Sequence, residues 1–298
     1  MALVNTPSRH LRAADDRPTS YEEFLDVLAG LRLSSSRIDI DIDRGLVTLD
    51  GRDAGLSAKE HDLLAHLAAN ADRAVTREEL FITSKVWNDQ QSDHEVQAAF
   101  RASLTNLGLD YLDCYMVHWP CPSTGRHVER FAALSTLQGL GDVRSIAVAN
   151  YNGDQLREVQ EKTGIVPTIN QVELHPGFSQ AELRETHAQL GVLTEAWSPL
   201  AQGDVNHTGL LVDIADKYGV TPAQVALRWI YQLGASSVPK SATATRQEEN
   251  IEIFNFELSE SEMSRILQLD DGPGSGRRYA DPDVFPGDDV GGTPTTQK

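Results

Sequence analysis

The chain has 298 residues, of which 40% are hydrophobic, so it can form one large domain or two of medium size. Its net charge of -18 argues against nonspecific binding to nucleic acid, because phosphate backbones are themselves anionic. Two cysteines, Cys114 and Cys121, do not make a disulfide framework, and no apolar run approaches the roughly 18 residues of a membrane span. The N-terminus carries no signal-peptide pattern, so we expect a cytoplasmic protein that makes no membrane contact.

The first part of the chain predicts a small α+β segment behind a disordered tail at residues 1–20. Residues 37–43 alternate strictly between apolar and polar side chains, which is typical of a strand with one buried face. Arg44-Gly45 then turns the chain, so the next apolar run is expected to pair with this strand as a hairpin. The predicted elements are a helix over 21–31, antiparallel strands over 37–43 and 46–49, and a second helix from Ser57.

Beyond residue 80, short apolar runs alternate with amphipathic helices. This alternation, with continuous rather than alternating apolar strands, predicts a parallel sheet covered by helices. The predicted strands lie at about 80–85, 112–118, 145–150, 167–173, 192–197 and 236–239. The predicted helices lie at about 92–107, 128–139, 153–163, 179–189, 221–233, 246–252 and 258–269. Residues 271–298 are rich in Gly, Pro and Asp and form a tail, which we expect to fold back over the domain near Tyr279 to Phe285.

Hydrogen-bonding or aromatic side chains end nearly every predicted strand. In parallel α/β folds the functional site lies at the C-terminal ends of the strands, so these side chains are candidates for chemistry. They are Lys85, His118, Asn150, Gln171, Glu173, Trp197, Ser198 and Lys240. Taken singly, Lys85 could be a surface charge and His118 a core histidine.

Six motifs occur in one order after residue 79. They are Leu80-Phe-Ile-Thr-Ser-Lys-Val-Trp-Asn88, Leu107-Gly-Leu-Asp-Tyr111, Val117-His-Trp-Pro120, Ile169-Asn-Gln-Val-Glu-Leu-His-Pro176, Glu195-Ala-Trp-Ser-Pro-Leu200 and Val238-Pro-Lys-Ser241. Over about residues 77–285 the chain therefore resembles the aldo-keto reductases, in particular the bacterial branch that reduces diketo-gluconate and small aldehydes. The resemblance implies a TIM-type (β/α) barrel and an NADPH-dependent enzyme that reduces a small carbonyl substrate.

The resemblance also implies roles for individual residues. Lys85 resembles the catalytic lysine, whose charge lowers the pKa of a neighbouring tyrosine acid. His118 resembles the histidine that orients and polarises the carbonyl. Trp87 and Trp119 would line the substrate pocket, although both could instead be ordinary core aromatics.

The implied cofactor site lies on the later strands. Asn150 and Gln171 would hold the nicotinamide carboxamide, because side-chain amides both donate and accept hydrogen bonds. Trp197 would stack on the nicotinamide ring. At Ala149 the family usually has serine, so one hydrogen bond to the carboxamide is lost. The remaining implied contacts are Ser198, Leu200 and Gly203 for the pyrophosphate, Lys240, Ser241 and Arg246 for the 2′-phosphate, and Glu249 and Asn250 for the adenine.

The family's first two barrel units have no counterpart in the sequence patterns. The barrel has eight strand–helix units, and about six are predicted here. The family's aspartate and tyrosine, in patterns like Asp-Thr-Ala and Tyr-x-Asn-Glu, are absent before Lys85, where the one tyrosine is Tyr21. We therefore expect an incomplete barrel whose turnover is impaired.

Residues 37–80 resemble instead the winged-helix output domain of bacterial response regulators, through Asp43-Arg-Gly-Leu-Val-Thr-Leu-Asp-Gly51, Leu56-Ser-Ala-Lys-Glu-His-Asp-Leu-Leu64 and Arg73-Ala-Val-Thr-Arg-Glu-Glu-Leu80. The chain is then interpreted as a fusion of two truncated parents. Its expected parts are a tail at 1–20, a winged-helix-like fragment at 21–76, the barrel at 77–272 and a C-terminal tail at 273–298. The alternatives to an active reductase are a catalytically inactive NADPH-binding protein, a DNA-binding regulator and a poorly folded fusion product. The substrate and the oligomeric state stay open.

Overall fold

The computed structural model describes residues 38–41, 46–49, 52–53, 81–270 and 276–287. The chain forms two compact units: residues 1–81, 106–108 and 241–248 make one, and the rest of the chain makes the other. The tail at 1–20 and the helices predicted over 21–31 and from Ser57 lie outside the described residues. The expected domain boundary at residue 77 stays a prediction.

The smaller unit contains a three-stranded antiparallel sheet. Strands β1 (Ile38–Asp41), β2 (Leu46–Leu49) and β3 (Arg52–Asp53) pair in that order. Ile38 lies opposite Leu49, and Asp41 opposite Leu46. This register confirms the predicted hairpin, while β3 was not predicted because two residues are too few for a periodicity signal.

The larger unit is built on a parallel sheet whose neighbours follow chain order. Side chains of β5 are buried on both faces, as expected for the parallel sheet of a TIM-type fold, in which helices cover the outer face and side chains of the strands fill the inner one. The six strands confirm the six that were predicted. They are β4 (Thr83–Val86), β5 (Leu112–Val117), β6 (Val143–Ala149), β7 (Ile169–Glu173), β8 (Leu193–Trp197) and β9 (Ser236–Ser237).

Helices connect these strands and carry the caps that their sequences favour. Asn152, Thr221 and Ser259 each begin a helix as part of a capping box. The helices are α1 (Asp93–Leu107), α2 (His127–Leu140), α3 (Gly153–Thr163), α4 (Ala181–Leu190), α5 (Gly209–Tyr218), α6 (Pro222–Gln232), α7 (Ala244–Ile251) and α8 (Glu260–Leu267). Helix α5 was not predicted, although Leu211, Ile214 and Ala215 recur at helical spacing and are buried; Thr208 supplies no side-chain cap that would mark its start.

The main core lies between the later strands and helices α5 and α6. Trp229 is fully buried at its centre, with Leu211 and Ile230. The C-terminal segment packs back on the larger unit, as predicted: the Phe285 ring lies 4.5 Å from the Trp119 ring. In the part of the chain that the structure describes, no helix has the length and apolar character needed to cross a bilayer.

Candidate active site

Three side chains on β4, β7 and β8 form one hydrogen-bonded row near the C-terminal ends of these strands. The half-buried Lys85 donates from Nζ to Gln171 Oε1 over 2.6 Å. Gln171 Nε2 in turn donates to Glu195 Oε1 over 2.6 Å. The strands that lie between β4 and β7 separate Lys85 from Gln171 in the sheet, so their contact spans the face of the site. The lysine charge is therefore held in place by an amide that still has unused hydrogen-bonding capacity.

Asn150 links two more strand ends. It adopts a left-handed backbone conformation with φ of 66°, in which asparagine is more readily accommodated than most residues. Its Nδ2 donates to the carbonyl oxygen of His118 over 3.0 Å, and its Oδ1 accepts from Trp197 Nε1 over 2.8 Å. Each atom can make one further hydrogen bond, so Asn150 fits a carboxamide ligand without breaking either contact.

Aromatic rings surround His118. The Trp87 ring centre lies 4.7 Å from the imidazole centre, and the Trp119 ring centre lies 6.3 Å from it. Trp119 is also 6.3 Å from Trp197 in an edge-on arrangement. Trp87 is 36% exposed, which is more than a core aromatic would be. The two tryptophans therefore form an aromatic wall beside His118, and their role in lining a substrate pocket stays a prediction.

The C-terminal segment reaches Trp197. The Tyr279 ring packs at 4.7 Å against the Trp197 ring, and its hydroxyl lies 3.3 Å from Ser198 Oγ. Gln202 Nε2 donates to the same hydroxyl over 2.8 Å. The sequence analysis predicted only that the tail folds back near Tyr279. A tail rich in Gly and Pro carries no pattern that would indicate Trp197 as the partner of the Tyr279 ring.

Glu173 fastens this segment to the sheet. Its carboxylate is 1% exposed and accepts hydrogen bonds from the backbone N–H of Arg278 over 2.7 Å and of Tyr279 over 3.4 Å. Arg278 also forms an ion pair with Asp204 over 2.5 Å. Glu173 was predicted as a polar residue at a strand end. In the structure its carboxylate binds the backbone of residues 278–279.

The loop after β8 contains the residues assigned to the pyrophosphate, and their role toward it stays a prediction. Ser198 and Gly203 have positive φ angles of 52° and 97°, and the turn is closed by a 2.8 Å bond from Gly203 N to Leu200 O. The Gly203 N–H is used inside the turn, so it does not point freely at a ligand.

The residues assigned to the 2′-phosphate and adenine lie on α7 or directly before it. Arg246, Glu249 and Asn250 lie on α7, and Lys240 and Ser241 precede it. Lys240 and Arg246 are exposed cations. Ser241 Oγ accepts from Thr243 N over 3.2 Å, so it shapes the turn that leads into α7. Their roles toward a cofactor stay predictions.

The sequence matches a known protein family over most of its length. Residues 58–271 match the pattern of the Aldo/keto reductase family. An aldo-keto reductase of Mycolicibacterium smegmatis is 44% identical over 217 residues, which are 73% of this chain and 78% of that protein. The methylglyoxal reductase DkgA of Escherichia coli is 43% identical over 217 residues, covering 72% and 77%.

Solved structures agree with the sequence comparison. The crystal structure of a Gox0644 mutant in complex with NADPH superposes with a TM-score of 0.68 at 40% identity, covering 70% of this chain and 76% of that one. The apo form of Gox0644 gives a TM-score of 0.67 at 41% identity, covering 69% and 75%. The family match begins at residue 58, within the segment that was interpreted as a winged-helix fragment, so that interpretation finds no support over residues 58–76.

Proposed function

The chain belongs to the aldo/keto reductase family, and on that premise we propose that it reduces small aldehydes or ketones to alcohols with NADPH as the hydride donor. The single observation that carries the proposal is the placement of Lys85 against Gln171 at 2.6 Å, with Asn150 bonded to Trp197 and to the His118 carbonyl beside them. A lysine, two amides and an indole ring at neighbouring strand ends suit a dinucleotide and a carbonyl.

The donor set of the later strands fits a bound nicotinamide. Asn150 and Gln171 each retain hydrogen-bonding capacity for a carboxamide, and the Trp197 ring offers an aromatic surface. NADPH, when bound, supplies the hydride. The NADPH complex of one structural neighbour at 40% identity supports the choice of cofactor.

The chemistry required of the protein is stabilisation of the negative charge that develops on the carbonyl oxygen. The Lys85 ammonium does this electrostatically, and preorganised charge in a site that excludes water is usually the largest contribution to catalysis. The His118 imidazole orients the same oxygen by a hydrogen bond. Trp87 and Trp119 exclude water from one side. Methylglyoxal is a suitable small substrate, since a relative with 43% identity is named a methylglyoxal reductase.

The family mechanism also needs a tyrosine that acts as general acid, and the sequence before Lys85 offers no matching residue. Before Lys85 the sequence contains a single tyrosine, Tyr21, in a context unlike the family pattern. Loss of a positioned general acid typically lowers the rate by about 10²–10⁴. We therefore expect slow turnover, in which the proton comes from His118 or from water.

The test is NADPH oxidation in the presence of methylglyoxal, followed by absorbance. We expect Lys85→Met to abolish turnover because it removes the charge and keeps the length of the side chain. Lys162→Met, at an exposed position in α3, is the matched control and should leave turnover unchanged. Soluble wild-type protein that shows no turnover above buffer would contradict the proposal.

A catalytically inactive NADPH-binding protein is the second candidate. It is favoured by one observation: the residues expected to hold the nicotinamide are in contact, whereas the sequence before Lys85 offers no family-like tyrosine. In that case NADPH quenches the fluorescence of Trp197 without turnover. Retention of the quenching in Trp197→Phe would show that the signal comes from elsewhere.

A further inference from the structure

Arg130 is a fully buried arginine beneath the aromatic wall of the site. It lies in the first turn of α2, and its side chain is 0% exposed. Nη1 donates to the carbonyl oxygen of Trp119 over 3.0 Å, and Nη2 donates to the carbonyl oxygen of Trp87 over 2.8 Å. One side chain therefore bonds to the two loops that follow β4 and β5.

The environment of Arg130 is unusual for a cation. Arginine is almost never fully buried unless it is paired, because removal of its charge from water is costly. Among the described residues, Arg144, Arg157 and Arg278 form ion pairs with carboxylates, and Arg130 forms none. Backbone carbonyl oxygens are its hydrogen-bond partners. A position that tolerates this cost is expected to gain something that an apolar side chain cannot supply.

The two carbonyls belong to residues that shape the site. Trp87 lies two residues after Lys85, and its ring is 4.7 Å from the His118 ring. Trp119 follows His118 directly, and its ring contacts Phe285 at 4.5 Å. A planar guanidinium can bond to two acceptors at a fixed separation, which a lysine ammonium on a flexible stem does less well.

We propose that Arg130 is a positioning residue that holds the Trp87 and Trp119 loops at a fixed separation and so sets the carbonyl-binding pocket around His118. The proposal rests on the proposed reductase function. It predicts that loss of the two bonds affects the carbonyl substrate and not NADPH, because the residues assigned to NADPH lie on or directly after β6 to β9 and on α7.

Three variants separate positioning from general stability. Arg130→Met removes both bonds and keeps an apolar side chain of similar length; we expect kcat/KM for methylglyoxal to fall by roughly 10- to 100-fold, mainly through KM. Arg130→Lys keeps the charge and one of the two hydrogen bonds. Its kcat/KM should therefore lie between the values of the wild type and of Arg130→Met. Arg228→Met is the control, since Arg228 also donates to a backbone carbonyl, that of Ile253, but on α6 away from these loops.

Two further measurements keep the result interpretable. The dissociation constant for NADPH should stay unchanged in all three variants, whereas a merely structural defect would weaken it together with kcat/KM. Acrylamide quenching of tryptophan fluorescence should increase in Arg130→Met and not in Arg228→Met, because Trp87 and Trp119 lose their restraint. If Arg130→Met does not give soluble protein, Arg130→Lys provides the same comparison at smaller amplitude.

The outcomes distinguish this inference from the function on which it rests. Wild-type protein without turnover, combined with increased quenching in Arg130→Met, would reject the reductase function and leave the positioning role standing. Wild-type turnover with an unchanged kcat/KM in Arg130→Met and Arg130→Lys would overturn the positioning role alone. Parallel losses in NADPH affinity and kcat/KM would also overturn it.

Discussion

Acidification should destabilise the protein through His187, a buried histidine in α4 that is 1% exposed. Its Nε2 faces the amide nitrogen of Asn170 at 2.9 Å, and its Nδ1 lies 2.8 Å from Thr194 Oγ1. Asn170 Oδ1 accepts from Tyr151 N, which leaves the Asn170 amide N–H pointing at His187. Nε2 must therefore accept, so the neutral imidazole fits this site and the protonated form does not.

Burial, and secondly the positive charge of Arg184, lower the pKa of His187 from 6.5 to about 4. Because the pKa in the folded protein is depressed, the unfolded chain binds the proton more tightly. The stabilisation is complete above pH 6.5 and is lost as the pH falls toward 4. From these two values, the loss is about 2 kcal/mol at pH 5 and approaches about 3 kcal/mol below pH 4.

Urea unfolding at pH 7.5 and at pH 5 measures this loss. Other groups also titrate, so the informative quantity is the free energy of unfolding of the wild type minus that of His187→Gln at each pH. We expect this difference to fall by about 2 kcal/mol on going to pH 5. The exposed His207, replaced by Gln, should show no such change. A difference for His187→Gln that moves by less than about 0.5 kcal/mol would refute the reasoning.

Two further predictions concern stability. Burial would raise the pKa of Glu262, but hydrogen bonds, first from Lys217 and then from Ser259 and Tyr218, together lower it to about 2. Stability from this carboxylate is present above pH 4.5 and lost as the pH falls toward 2, and Glu262→Gln should lower the free energy of unfolding at pH 7 by about 2–3 kcal/mol in urea titrations. A Cβ at Gly139, in the last turn of α2, or at Gly141, which caps this helix, meets open space, but Gly141 has φ of 84°. Thermal unfolding should show that Gly141→Ala destabilises by about 1 kcal/mol and that Gly139→Ala stabilises by about 0.5–1 kcal/mol; equal effects would contradict this account.

The sequence predicted the sheet well because its signals are local. A run such as Leu112–Val117 is apolar throughout and short, and it became a strand buried on both faces. The predicted site residues on β4 to β8 came together for the same reason: the C-terminal ends of parallel strands lie at one edge. Lys85 and Gln171 are 86 positions apart, and their contact follows from this topology together with the lengths of the two side chains.

The sequence could not predict contacts that depend on how helices and the tail pack. Arginine is usually exposed, and nothing in the sequence around Arg130 indicates that its side chain is buried. His187 was likewise part of an amphipathic helix with no sign of its partners. The pairing of Tyr279 with Trp197 joins positions 82 apart through a tail that carries no periodic pattern. The winged-helix interpretation shows a different limit, because residues 56–64 and 73–80 were assigned from short motifs, and the aldo/keto reductase family match already begins at residue 58.

Several buried polar side chains have a common cause in the geometry of a parallel sheet. A strand that ends and turns away leaves backbone carbonyls without a ladder partner, and such groups must find donors elsewhere. Here side chains from other elements supply the donors: Arg130 to Trp87 and Trp119, Asn150 to His118, and Asn170 to Tyr151. The same carbonyls belong to the residues beside Lys85 and His118 or next to Asn150. The hydrogen bonds to these backbone carbonyls therefore also hold Lys85, His118 and Asn150 in place. For this reason polar side chains at strand ends indicate a site, but they do not show which of them contacts the ligand.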